Sequence, residues 1–459
     1  MIRPVLQLEV NEIPWRLLNL YRGKEEFPNI ERFFREADSY TSLVVDGGEM
    51  SPWVVWPTLH RGENEKHHRI RNLGQDPRTF GGSTIWEDVR RAGESVGVFG
   101  ALQSWPPRDP GAGGFYVPDT FAHDERCFPR ELEPLQKLNL ALVAKNTRER
   151  SGDFLSSLSL RTAIALWRSP VRWCTLARVA GQLIRERWDA RYRGRRAIFQ
   201  NILFWDVFRG LFDCQNPPAY SSYFSNHLAS AMHRYWSSVF PQDFPLERRP
   251  KDDFHRGTID FAMKVLDEML ADVLAMRKRN PELTVVFASG LGQDTIVRGR
   301  HEGIELTIKD PDELLRWLGV NGKEARRLLA MVPQVAFEVP DADVRGRIRL
   351  ALGTLRFPVS GAVPFVIDEV GDTMSVGLVN PPSADSRAGY FLRGAEHVPF
   401  SMLGCRALEI EPGTAYHIPE AIFAVVGPGA ETFRAHWTKP RIPGDRIKAE
   451  VLRMMGIRA

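Results

Sequence analysis

The sequence runs to 459 residues, with an apolar fraction of 43%, a charged fraction of 26% and a formal net charge of +4. These are the proportions of an ordinary globular chain, long enough for two or three average domains or one large α/β domain with an insertion, and the small charge gives no reason to expect nucleic acid. The four cysteines, Cys127, Cys174, Cys214 and Cys405, stand far apart with no CxxC pair, which argues against a disulfide framework or a cysteine-bound zinc and favours a reducing, cytoplasmic setting.

The first residues carry Glu9, Asn11 and Glu12 where a secretory signal has an apolar run. No stretch offers the ~18 uninterrupted apolar residues of a transmembrane helix. PVLQLEV, residues 4 to 10, reads as a buried strand, and Asn11 and Glu12 follow at its carboxyl end, where open α/β sheets keep their chemistry. Exposure of Glu9 and Glu12 at a helix start is the alternative. Leu43 to Val45 reads as a short strand before the Asp46-Gly47-Gly48 turn. In MSPWVVWPTLHRG, residues 50 to 62, two prolines lack donors and bias the preceding residues toward extended backbone. Trp53 to Trp56 is therefore expected as a short extended piece opening into a turn or helix start near Thr58, with Thr58 and His60 at the mouth of a sheet. The competing reading makes the tryptophans core aromatics and His60 a structural histidine.

His67, His68 and Arg69 follow, then a helix capped by Ser83 or Thr84 and ending near Gly93, then the strand SVGVFG at 95 to 100. Strand, helix, strand in succession argues for a parallel sheet with helices on its faces. Residues 101 to 130 form a long loop rich in Pro, Gly and Trp, with Asp119, His123 and Asp124 as further candidates; turn capping is the plainer role for Asp119.

From about 131 to 215 the pattern is helical and basic. Between Arg161 and Arg209 arginines interleave with Leu, Ile, Trp and Phe, as in an inserted cap that meets an anionic substrate, an acidic partner or a membrane surface, or as in a solvated face. In YSSYFSNHLASAMHRYW, residues 220 to 236, His227 and His233 are about 120° apart on a helix and need not share a metal, whereas Asn226 and Ser230 share a face. Thr258 to Arg279 is a strongly amphipathic helix, and LTVVFAS, 283 to 289, is a buried strand entering the corner Gly290-Leu291-Gly292-Gln293. A short helix is expected over Lys323 to Met331, alternating strands over Val344 to Val379, and a terminal helix in DRIKAEVLRMMGI, 445 to 457.

Several of these pieces together resemble the alkaline phosphatase superfamily, in its phosphodiesterase and phosphoglycerate mutase-like branches. HIPEAIFAVVGPG resembles the late His-x-Pro-Glu-Gly segment with its Gly-Pro-Gly end, and the terminal helix resembles the one that finishes those domains. PWVVWPTLHRG resembles the nucleophile loop, FSNHLASAMH the Asp-x-x-Gly-His metal loop, and VVFASGLGQ the Ser-Asp-His-Gly corner. The first and last stretches also resemble uncharacterised proteins of surface-polysaccharide clusters. The resemblance implies an alkaline-phosphatase-like α/β fold, a mixed or parallel sheet sandwiched by helices, with residues 1–130 and 220–459 as core, 131–219 as an arginine-rich helical cap and a β-rich addition near 340 to 410. It also implies a depleted metal site. The first aspartate ligand falls on Asn11, the nucleophile on Val55, the second-site aspartate and histidine on Asn226 and Ser230, and the Asp-His pair on Gly290 and Leu291; the last histidine ligand survives as His417. Two-zinc phosphatase chemistry needs carboxylate and imidazole ligands at these places.

Three functions follow as expectations. One is a hydrolase or group transferase with a rebuilt site, acting on a phosphate-bearing or other anionic small molecule or glycan. It would use Thr58, His60, Glu12 and His233 as catalytic residues and Asn11, His68, Asn226, His227 and Asp119 toward substrate, with His417 as metal ligand and cofactor content open between a single divalent metal and none. Another is a catalytically inactive ligand-binding or scaffold protein. The third is peripheral membrane contact through the basic cap, with Trp167, Trp173 and Trp188 as interfacial anchors.

Overall fold

VLQLEV, with four aliphatic residues in six, forms β1 (Val5–Val10), and every residue of it is buried. In the computed structural model, which describes residues 2–48, 50–145, 169–296, 304–330, 334–379, 383–409 and 414–458, five further strands of the central sheet follow in the chain. They are β2 (Asp38–Leu43), β3 (Val96–Phe99), β4 (Phe115–Val117), β5 (Tyr220–Ser225) and β6 (Thr284–Ala288). The sheet has eight strands, in the order Arg441–Pro443, β2, Glu420–Val426, β6, β1, β5, β3, β4. β6, β1, β5, β3 and β4 are mutually parallel, with Val5 opposite both Tyr220 and Thr284. Glu420–Val426 runs against both of its neighbours. The chain enters it from Ala415–Ile418, which pairs with Gly292–Thr295 just beyond the carboxyl end of β6, and so can only run back.

Alternation along β1 sends Leu6, Leu8 and Val10 to one face and Val5 to the other. The first face is covered by helices Trp15–Tyr21, Pro28–Glu36, Arg196–Leu211, His227–Val239 and Arg256–Arg279, the second by Pro52–Arg61, Ile85–Arg91, Pro428–His436 and Ile447–Met455. The fold is thus a mixed α/β sandwich. Thr84 caps Ile85–Arg91 through a reciprocal box with Glu87, worth about 1 kcal/mol. Helix Arg196–Leu211, inside the expected cap, packs Ile202, Trp205 and Phe208 into the same apolar cluster as the sheet. Arg161, Trp167 and Arg168 lie outside the described residues.

The segment expected to be extended at Trp53–Trp56 is a helix, Pro52–Arg61. Pro52 is at its first position, where a missing N–H costs nothing, and Gly62 ends it in the left-handed region at φ 68°. Residues 304–409 gather a separate apolar cluster around small antiparallel sheets. Two expectations fail there. The expected helix at 323–331 is, over residues 323–330, a turn followed by the strand Arg326–Leu328; Met331 lies outside the described residues. The run from Val344 begins as the helix Ala342–Gly353, capped by Asp341, because Val344, Ile348 and Leu352 recur every four residues and fill one buried stripe. The loop 71–79 ties this lobe to the core through Arg71 and Asn72 on Asp368, Arg78 on Asp372 and the Asp76 N–H on Thr373.

Candidate metal and active site

Past Val10 the chain is pinned between two strand ends: the Asn11 N–H donates to the Ser225 carbonyl at 2.9 Å and the Glu12 N–H to the Ser289 carbonyl at 3.0 Å. Glu12 takes a left-handed φ of 65°, a conformation that costs a non-glycine residue about 1–2 kcal/mol. Two imidazoles meet its carboxylate in this crevice. His233, two turns into the helix that follows β5, places Nε2 2.9 Å from Glu12 Oε2; His417, on Ala415–Ile418, places Nε2 3.3 Å from the same oxygen. Among the described residues, these form the one group of three potential metal ligands, with donor atoms all within 4.8 Å of one another.

Neighbouring groups fix Glu12 and His233. His233 Nδ1 stands 3.0 Å from the Ala415 carbonyl; only a protonated Nδ1 can donate there, which leaves Nε2 as the free lone pair in the neutral ring. Asn11 Nδ2 donates to Glu12 Oε1 and to Asn226 Oδ1, both at 2.7 Å, and its Oδ1 accepts from Trp56 Nε1 at 2.7 Å. The Gln293 amide donates to Glu12 Oε2 and, at 3.3 Å, to the Ala229 carbonyl. Burial alone would push the Glu12 carboxyl up, but the charges and hydrogen bonds of His233 and His417 outweigh it and hold the group well below the usual carboxylate range. The same pairing outweighs burial at His233 and raises it.

This donor set fits one divalent ion. Ligand atoms on an ion with bonds of about 2.1 Å are roughly 3 to 3.5 Å apart, close to the two Glu12–His separations. His417 Nδ1 is buried without a hydrogen-bond partner, while its Nε2 faces Glu12. At Gly290 (φ 72°) a Cβ would meet the Trp56 indole at 2.8 Å, so the indole occupies the space a side chain would take at that corner.

The other candidates are distributed around this centre. Asn226 is exposed at the start of helix His227–Val239. His227 turns the opposite way, to Ser225 Oγ at 2.5 Å and the Ala262 carbonyl at 3.1 Å, and burial lowers it to about 4. His60 is buried against the sheet, its Nε2 2.7 Å from Glu9 Oε1. Thr58 is fully buried and bonds Asp46 at 2.8 and 3.0 Å and His68 Nε2 at 3.0 Å. Burial first, then the Arg61 charge, lowers His68 to about 4. Asp119 accepts the N–H groups of Phe121 and Ser104 at 2.7 and 3.2 Å and clamps its loop; burial raises it to about 6 against those bonds. Sequence reasoning did not single out Trp56, Gln293 or Asp46. The corner Gly290-Leu291-Gly292-Gln293 pointed to Gln293, and the four-residue spacing of Trp56 and His60 to a shared helix face. Nothing local pointed to Asp46.

No family model matches the sequence, and neither does any curated protein. Among solved structures, the chain is similar to the murine ectonucleotide pyrophosphatase/phosphodiesterase 5, at 12% identity and a TM-score of 0.45, over 100% of this chain and 96% of that one. The human protein of the same name gives 12% identity and 0.44 over the same shares. The phosphonoacetate hydrolase of Sinorhizobium meliloti 1021, in complex with phosphonoformate, gives 14% identity and 0.44 over 98% of this chain and 96% of that one. These are members of the alkaline phosphatase superfamily.

Proposed function

We propose that this chain is a hydrolase of phosphate-bearing or similarly anionic esters that works through one divalent metal ion held by Glu12, His233 and His417. The observation that carries the reading is the convergence of these three side chains at the carboxyl end of β1, each oriented by a further hydrogen bond or by burial. When bound, such an ion polarises an ester oxygen and lowers the pKa of water. The chain's own residues supply the rest. Asn226, exposed and tied to Asn11, offers its amide N–H groups to an anionic oxygen. It is also the first residue before a 13-residue helix whose amino end favours negative charge. Val55, at the position that the resemblance gives to the nucleophile, is buried and has no attacking atom, which favours water as the attacking group. Thr58, His60 and His68 serve this reading as supports for helix Pro52–Arg61, whose Trp56 positions Asn11.

The test is metal content by plasma mass spectrometry together with turnover of a panel of phospho-, phosphono- and sulfo-esters, glycan phosphates included. Wild-type protein should carry about one equivalent of zinc, manganese or iron and hydrolyse at least one ester class, and His417→Ala and Glu12→Gln should lose both. Wild-type protein that takes up no metal on reconstitution would overturn the reading. Metal without turnover would leave the cleft as a binding site.

A further inference from the structure

Helix Trp173–Trp188 has its polarity reversed. Its buried residues are Thr175, Gln182 and Glu186, spaced seven and four apart and so on one face. Gln182 donates to Glu186 at 2.9 Å and to the Tyr192 carbonyl at 2.6 Å, and the Arg196 guanidinium closes on Glu186 at 2.7 and 2.9 Å. Polar groups thus hold the inner side. The outer side carries Trp173, Ala177, Ala180, Ile184 and Trp188, at intervals of four, three, four and four, a straight stripe roughly 22 Å long. Trp173 is 68% exposed, Ile184 60% and Trp188 87%. A helix facing only water shows the opposite arrangement, and a contiguous apolar stripe in the open marks a contact surface.

The charges beside the stripe identify what it contacts. Around the helix axis, Arg185 is about 100° to one side of Ile184 and Arg187 about 60° to the other, and both are exposed. Between residues 172 and 196 there are eight arginines and two acidic residues. Arg172, Arg178 and Arg191 are engaged by Asp206, Glu268, and Asp189 with Asp252, so part of the positive charge is balanced within the fold and Arg185 and Arg187 form the outer fringe. A second copy seated on the stripe would bring two arginine fringes together, which like charge opposes. A bilayer rich in anionic lipid opposes nothing. Trp188 at the end of the stripe suits the boundary between headgroups and acyl chains, Ile184 one turn before it suits the acyl side, and guanidinium groups pair with lipid phosphates.

We propose that this helix docks the protein on anionic lipid bilayers, lying in the plane of the surface with Ile184 and Trp188 in the acyl boundary and Arg185 and Arg187 on the phosphates. Among the described residues no helix is long and apolar enough to cross a membrane, so the contact is peripheral. The inference is independent of the metal site.

Flotation of the full chain with vesicles of phosphatidylcholine alone, or of phosphatidylcholine with phosphatidylglycerol, tests it. Wild-type protein should float with the anionic vesicles and not with the neutral ones, and added salt should weaken the association. Ile184→Glu should weaken it by ~10-fold or more, the effect of withdrawing one aliphatic side chain from apolar surroundings. Arg185→Gln and Arg187→Gln should each weaken it by ~5-fold. Circular dichroism and metal content of all variants should match the wild type, since each substitution is at an exposed position. Three outcomes would overturn the proposal: wild-type protein that ignores anionic vesicles at low salt, an Ile184→Glu variant that floats as well as wild type, or a dimer in sedimentation that Ile184→Glu dissolves, which would make a second copy the occupant.

Discussion

Replacing Thr58 by valine separates a reacting hydroxyl from a supporting one. Ile70 N–H donates to His68 Nδ1 at 3.0 Å, so the ring proton is on Nε2 and is given to Thr58 Oγ1. The hydroxyl proton is then free for Asp46, 2.8 Å away. Valine keeps the volume and leaves two groups short: the buried His68 N–H and the Asp46 carboxylate, which retains the Glu65 N–H at 2.9 Å. At pH 8 one charge-assisted bond and one neutral bond are lost, together about 2–4 kcal/mol. Thr58→Ser keeps both bonds and should recover most of this. The deficit should also depend on pH. Burial, helped by the neighbouring Glu65 carboxyl, raises Asp46 from 3.8 to about 7. An acid raised on folding takes up protons in the native state, so its contribution to stability is complete below pH 3.8 and is lost as pH rises through about 7. Below pH 7 Asp46 carries its own proton, the bond from Thr58 is no longer charge-assisted, and the Thr58→Val deficit should shrink. Denaturant melts at pH 5.5 and pH 8 measure both effects, with metal content as the control. A valine variant of unchanged stability and abolished turnover would refute the supporting role and make Thr58 a reacting group.

Two further predictions concern the orientation of Glu12. Gln293→Leu removes the amide donor to Glu12 Oε2 while keeping a side chain of similar size; metal affinity, read by competition with a chromophoric chelator, should fall by ~10–100-fold with the fold intact. Gly290→Ala adds a Cβ at φ 72° and 2.8 Å from the Trp56 ring. It should cost about 1–2 kcal/mol in backbone strain alone and, by moving the indole off Asn11, should quench or shift tryptophan fluorescence and weaken metal binding together. Loss of stability with normal metal affinity would show that Trp56 does not position the site.

Much of the scaffold was legible because its signals are local. The apolar run at 4 to 10, the Thr84 capping box, the amphipathic run ending at Arg279 and the second corner at Gly290-Leu291-Gly292 each depend on neighbours within a few residues. The helix Pro52–Arg61 was not legible, since two prolines read as breakers unless one knows that the first occupies the opening position. Helical phase explains the histidines. Six-residue spacing told that His227 and His233 face different ways, but which of them meets Glu12 is decided by Leu228, Met232 and Trp236 packing on the sheet, a long-range outcome. The pairing of Glu12 with His417 likewise depends on Ala415–Ile418 adding to Gly292–Thr295, a register that no local pattern encodes. Trp188, at 87% exposure, was read as an anchor from composition; that its helix turns polar residues inward could be learned only from the packing.

The second face of β1 explains why the crevice holds its shape. Gln7 and Glu9 point there, beside Tyr220 and Ser222 of β5, and Gln7 Nε2 and His60 Nε2 approach Glu9 Oε1 at 2.8 and 2.7 Å. His60 is bracketed by the rings of Trp56 and Trp86 at 5.7 and 5.0 Å. An apolar packing of the same volume would be at least as stable, since burying an ionisable pair is at best near neutral, and Gln7 Oε1, Glu9 Oε2 and His60 Nδ1 are left without partners. What the pair does supply is direction. His60 and Trp56 are one helical turn apart, so fixing His60 on Glu9 fixes the phase of helix Pro52–Arg61 and with it the indole N–H that Asn11 accepts. Asn11 in turn donates to the Glu12 carboxylate. The orientation of the metal-binding carboxylate is therefore set from behind the sheet as well as from the crevice, through a chain of named contacts in which no link relies on an exposed, mobile side chain.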